Sequence, residues 1–129
     1  MSSEAITRND LANILNEIMP FDYIRDVTSQ FTVGSGETPA NFKAWKMGDM
    51  VFLSYQGASK THSANALILT ASSDVRYGGE MLFPFTKNAS TYGTMRQNAD
   101  GTIEVNQISS TTNTGRIYFN TFWLIGGGA

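Results

Sequence analysis

Cysteine is absent from the 129 residues, and histidine occurs once, as His62. The chain therefore has no disulfide framework, no thiolate nucleophile and no thiolate metal ligand. A single imidazole without partners completes neither a zinc site nor a Ser-His-Asp triad, so His62, in a polar stretch, reads as an ordinary surface residue and no metal is expected. Charge is sparse as well. Charged residues make up 16% of the chain, against roughly 25% in an average globular domain. Nine basic and eleven acidic residues leave a formal charge of −2, which excludes the basic footprint of a nucleic-acid binder. No apolar run is long enough to cross a membrane. Glu4 stands where a secretory signal would carry its basic and apolar blocks, so no signal peptide is expected. Gly34, Gly36 and the pair Gly78-Gly79 lack the strand–glycine–helix context of a phosphate loop, and no cofactor is expected. Asp74, Glu80, Asp100 and Glu104 supply carboxylates, but no spacing selects two of them across a cleft, and no catalytic residue is assigned. Asn88-Ala89-Ser90 has the form of a glycosylation acceptor and, without a secretory signal, reads as a turn.

What is present is apolar bulk and small polar residues. With 41% hydrophobic and 12% aromatic side chains, the chain can bury the core of one domain and is too short for two. One helix is expected, over residues 7–19. Thr7 is its N-cap, Asp10 closes a capping box, Ile6 and Leu11 form a staple, and Pro20 stops it. Leu11, Ile14, Leu15 and Ile18 recur at helical spacing and make one apolar stripe. A helix this short is marginal alone, so the stripe docks on its own domain or joins copies of the chain in a short bundle. Residues 1–20 are thus assigned to oligomerisation or attachment, and 21–129 to a β domain.

The centre of that domain is the stretch 42–56. Trp45 and Met47 alternate with Phe42 and Ala44, then Val51, Leu53 and Tyr55 with Met50, Phe52 and Ser54. Two period-two runs around Gly48-Asp49 predict a β-hairpin with a two-residue loop. Large side chains on both faces predict that it is covered on both sides, with Trp45 and Trp123 in the core. A second hairpin is expected at 98–101, which ends in Asp-Gly. In 102–107, Ile103 and Val105 face one way and Glu104 and Asn106 the other, as in a half-exposed strand. The last strand, 116–125, alternates Ile117, Phe119, Thr121 and Trp123 with Tyr118, Asn120, Phe122 and Leu124. A flexible tail, 126–129, closes the chain. Six to eight short, evenly spaced strands after one helix predict a mainly β fold, an antiparallel β-sandwich or jelly-roll-like domain.

The opening ITRNDLANILNEIMP, the aromatic-flanked FKAWKMGDMVFLSY and the closing DGTIEV…TGRIYFNTFWL occur in this order in phage and prophage minor structural proteins of Gram-positive hosts. The chain resembles their tail-fibre or receptor-binding-type proteins over nearly its whole length. That resemblance implies a small β-sandwich head domain, a homotrimer and a place in the virion, with synthesis in the host cytoplasm. It implies other virion proteins (tail, baseplate or capsid) and a host-surface glycan as partners. The short run before the first strands points to a module without a long shaft. A capsid-attached head fibre or decoration protein, or a stand-alone carbohydrate-binding module, are the alternatives.

Sugar recognition uses aromatic faces for the apolar side of a pyranose and short polar side chains for its hydroxyls. The loop 72–79 gathers Asp74, Arg76, Tyr77 and two glycines; an Asp74–Arg76 ion pair is its structural explanation. The polar loop 109–115, with Asn113, is a second candidate, and Tyr92 is a third source of an aromatic face. Asp74, Arg76, Tyr77, Tyr92 and Asn113 are the expected ligand-binding residues; Leu11, Ile14, Leu15 and Ile18 are the expected oligomerisation residues.

Overall fold

The structure, a computed structural model, describes residues 7–11, 13, 23–88 and 90–129. Residues 8–11 and 13 are helical. The capping box forms as a reciprocal pair: the Asp10 N–H donates to Thr7 Oγ1 at 3.1 Å and the Thr7 N–H to Asp10 Oδ2 at 3.3 Å. Ile14, Leu15 and Ile18 lie outside the described residues. Leu11, the described member of the stripe, is exposed.

Among the described residues nine strands follow: β1 (Ile24–Asp26), β2 (Phe31–Val33), β3 (Asn41–Met47), β4 (Met50–Gln56), β5 (Leu67–Ala71), β6 (Met81–Thr86), β7 (Tyr92–Gln97), β8 (Thr102–Ile108) and β9 (Tyr118–Leu124). All pairings are antiparallel, in the order β1-β3-β4-β9-β6-β7-β8-β5-β2. The mainly β, antiparallel expectation holds. Hydrogen bonding, however, runs through one nine-stranded sheet instead of two stacked ones. β6 and β9 meet only at Thr86 and Tyr118, so the sheet nearly divides there.

The first and last strands of that order are consecutive in the chain, separated only by residues 27–30. Five residue steps reach at most about 18 Å, so the two ends of the sheet must approach each other and the sheet curls. The linker fastens both ends. The Val27 N–H donates to the Ala44 carbonyl and the Ala44 N–H to Thr28 Oγ1, while the Ser72 N–H reaches the Gln30 carbonyl. Side chains on the concave face form the core. Phe83 packs on Phe119 with ring centroids 5.2 Å apart, and Phe31 meets Trp123 edge-on at 6.1 Å.

The central hairpin forms with the expected register, Met47 opposite Met50 across a two-residue loop. Gly48 has φ +59° and Asp49 is not in the left-handed region, the pattern of a type II′ turn. Ala44, Val51, Leu53 and Tyr55 are buried. The expectation of cover on both sides fails on the convex face. Trp45, opposite Phe52, which is opposite Phe122, forms an aromatic row that is 43%, 40% and 62% exposed along its length. Period two separates the faces of a strand; it does not say that something lies over both. Trp123, by contrast, is buried and donates its Nε1–H to the Val75 carbonyl at 2.6 Å. The terminal glycines are also held in place. The Gly126 and Gly128 N–H groups donate to the carbonyls of Arg76 and Tyr77, so residues 126–129 pack on the β5–β6 loop.

Candidate functional site

On the convex face, β7 and β8 border a groove of about 620 Å³ lined by Tyr92, Thr94, Asn106, Gln107, Ser109 and Thr111, with Ala64 at its rim. That volume falls within the range of ordinary small-ligand sites. The local sequence builds the groove. Ile103 and Val105 point inward at period two, but the next inward apolar residue, Ile108, comes three positions later. The pairing shifts accordingly: Thr94 lies opposite Gln107 and Met95 opposite Val105, so Asn106 is the extra residue of a β-bulge. Gly93 allows the strands to close at this point, because a Cβ there would lie 2.0 Å from the Gln107 carbonyl oxygen and 2.8 Å from the Phe85 ring.

Gly93 and Ile108 complete the lining, and a polar hydrogen-bonded network borders it. Asn106 donates to Thr94 Oγ1 at 3.0 Å and accepts from Arg96 at 3.0 Å. Arg96 also donates to Asn65 and makes a close ion pair with Glu104, which in turn accepts from Asn98. The hydrogen bond from Arg96 holds the Glu104 carboxyl below its usual range. These two charges are committed to each other, and among the described residues no charged side chain lines the groove itself. The wall is the Tyr92 ring, 67% exposed. Its backbone is fixed by paired bonds with Ser109, the Tyr92 N–H to Ser109 Oγ and the Ser109 N–H to the Tyr92 carbonyl. An exposed aromatic face beside hydroxyls and carboxamides, without charge, suits an uncharged polyhydroxylated ligand. Among the described residues no cluster of three or more His, Asp or Glu converges in a way that would hold a metal ion.

Of the expected ligand-binding residues, Tyr92 lies in the groove. Asn113 is close by and tied into its loop: it donates to Thr91 Oγ1, accepts from the Gly115 N–H and offers its carbonyl to Lys87. Asp74, Arg76 and Tyr77 gather at the opposite end of β7, a strand about 16 Å long. Arg76 does not pair with Asp74; its guanidinium donates to the Asp100 carbonyl. Tyr77 is half-buried against Gly127 and Gly128, with its N–H bonded to Gln97. The five residues therefore fall at two ends of the sheet. Thr94, Asn106 and Gln107 were not singled out from the sequence, although the broken period between Val105 and Ile108 marks the bulge that presents them.

His62 departs from its surface expectation. Residues 57–66 fold over the groove end of the sheet, and His62 is buried there, with Nε2 3.0 Å from Oε1 of a buried Glu37.

No protein-family model and no curated protein matches the chain. Its fold is similar to the crystal structure of the receptor binding protein gp15 of Listeria phage PSA, with a TM-score of 0.58 and 13% sequence identity. The likeness covers 95% of this chain and 82% of that one. The resemblance to phage proteins of Gram-positive hosts, drawn from sequence motifs, thus has a structural counterpart.

Proposed function

We propose that this chain is a non-enzymatic virion structural protein, a receptor-binding-type head module that attaches to a glycan on the host surface. The observation that carries the receptor-binding role is the fold shared with a phage receptor binding protein over nearly the whole chain. The glycan is supported by the groove: an exposed Tyr92 ring, an uncharged lining of Thr94, Asn106, Gln107, Ser109 and Thr111, and a bordering hydrogen-bonded network. A homotrimer, in which other virion proteins hold the N-terminal segment, is part of the same reading. The convex face of β1, β3, β4 and β9 supports association, because Ile24, Trp45, Met47, Phe52, Phe122 and Leu124 are all exposed on it. Contiguous apolar surface of this kind marks interaction sites on soluble proteins. Mass spectrometry of purified particles tests the virion placement. The chain is expected there in stoichiometric amount; its absence from particles would overturn the placement.

A further inference from the structure

We propose that His62 is a proton-sensitive latch: its neutral imidazole locks the loops at the groove end of the sheet, and its protonation releases them. The latch is a buried cluster drawn from each connection at that end. Glu37 comes from the β2–β3 loop, Lys60 and His62 from the β4–β5 loop, and Lys87 from the β6–β7 turn. The β8–β9 loop supplies the Asn113 carbonyl. The side chains of His62 and Glu37 are 2% and 3% exposed. Glu37 Oε1 receives both His62 Nε2 at 3.0 Å and Lys60 Nζ at 3.4 Å. Lys87 Nζ donates to the carbonyls of Lys60 at 2.7 Å and Asn113 at 2.8 Å, tying the β4–β5 loop to the β8–β9 loop.

The hydrogen-bond inventory sets the protonation state. A carboxylate oxygen only accepts, so Nε2 carries the hydrogen and the neutral ring leaves a lone pair on Nδ1. Among the described residues Nδ1 is buried without a protein hydrogen-bond partner, as are Glu37 Oε2 and the Tyr55 hydroxyl. A proton added at Nδ1 would create a buried cationic donor with no acceptor, which is far more costly than an idle lone pair. Charge points the same way. Among the described residues the charged groups acting on His62 are Glu37, Lys60 and Lys87, and the Tyr55 phenol feels the same Glu37 charge. Burial, then the Glu37 charge, raises that phenol's ionisation and keeps it neutral. Protonated His62 would be a third cation around one carboxylate. Burial holds the His62 imidazole below its ordinary value; Glu37 opposes this and Lys87 reinforces it.

A value depressed in the folded state means that the unfolded or opened chain binds the proton more tightly. The latch is then fully closed above about pH 6.5, the ordinary imidazole value, and loosens as the pH falls from there through the folded-state value. Ala64, two residues from His62, and Thr111, two residues from Asn113, both line the groove. The consequence for ligand binding rests on the groove being the receptor site; the opening of the loops does not.

Because His62 is the only histidine, its ring signal in an NMR titration of the full chain from pH 8 to 5 is unambiguous. Amide exchange of residues 34–40, 57–66 and 109–115 is read alongside, in the wild type and in His62→Gln. The Gln side-chain amide can still donate to Glu37 but takes up no proton. His62 is expected to titrate below 6.5. Opening of those loops, corrected for intrinsic exchange, is expected to rise by up to about tenfold per pH unit across that window and to stay flat in His62→Gln. Titration at or above 6.5, or the same acid-induced opening in His62→Gln, would overturn the latch; if the variant does not fold, the wild-type titration decides alone. Acid opening in a chain that binds wall glycan at no pH would support the latch and contradict the groove as the receptor site.

Discussion

Lys87 keeps its charged end inside the protein, between two loop carbonyls 2.7 and 2.8 Å away. Its side chain is fully buried, and burial pulls its ionisation below the usual lysine value. Truncation by Lys87→Ala takes the donor from both carbonyls, at about 1–3 kcal/mol for each group lost. Chemical denaturation is expected to show a loss of about 2–6 kcal/mol; a loss under about 0.5 kcal/mol would mean that the cluster does not hold these loops. Tyr92 is the opposite case. Its ring is exposed, so Tyr92→Ala is expected to change stability by less than about 0.5 kcal/mol. The same denaturation measurement checks this, which makes the variant a clean probe of binding.

At the scale of elements, the bulge of β8 makes the sharpest claim. Gly93→Ala drives a Cβ into the Gln107 carbonyl, so β7 and β8 must separate where Thr94, Asn106 and Gln107 are presented. We expect a loss of about 1–3 kcal/mol, with chemical-shift changes centred on 92–94 and 105–109; an unperturbed bulge in that spectrum would contradict the geometry. The bulge also marks the limit of what the sequence makes legible. Hairpins and strand faces were legible because Gly48-Asp49 and Asp100-Gly101 carry turn chemistry and the flanking residues alternate. The residues of the groove were not. They lie on the half-exposed face of strands, where polar side chains are the norm, and only the three-residue step from Val105 to Ile108 distinguishes them. Loop packing is hidden in the sequence for a related reason. Composition shows that 57–66 and 72–79 are polar, yet only tertiary packing decides that His62 is buried and that Arg76 and Tyr77 serve the C-terminal glycines. Trp45 and Trp123 have the same kind of apolar neighbours in sequence, and the curl of the sheet places one outside and the other inside.

For the whole molecule, strand order lies beyond periodicity because it depends on long-range pairing. β2 pairs with β5, while β1, four residues before it, pairs with β3, and this divergence is what curls the sheet. In the proposed homotrimer the convex aromatic face is the surface that associates. The purified chain is expected at about three times its 14.1 kDa mass, and Phe122→Asp, which places a charge at an exposed position, is expected to reduce the mass without unfolding the sheet. A wild-type monomer by light scattering at micromolar concentration would remove the trimer. The most direct test of receptor binding is a titration of wall polysaccharide from the host bacterium into the purified chain, beside Tyr92→Ala. Saturable binding is predicted for the wild type, with affinity at least tenfold weaker in the folded variant. Binding unaffected by the substitution, or no binding to wall glycan by the wild type, would contradict a glycan-reading groove.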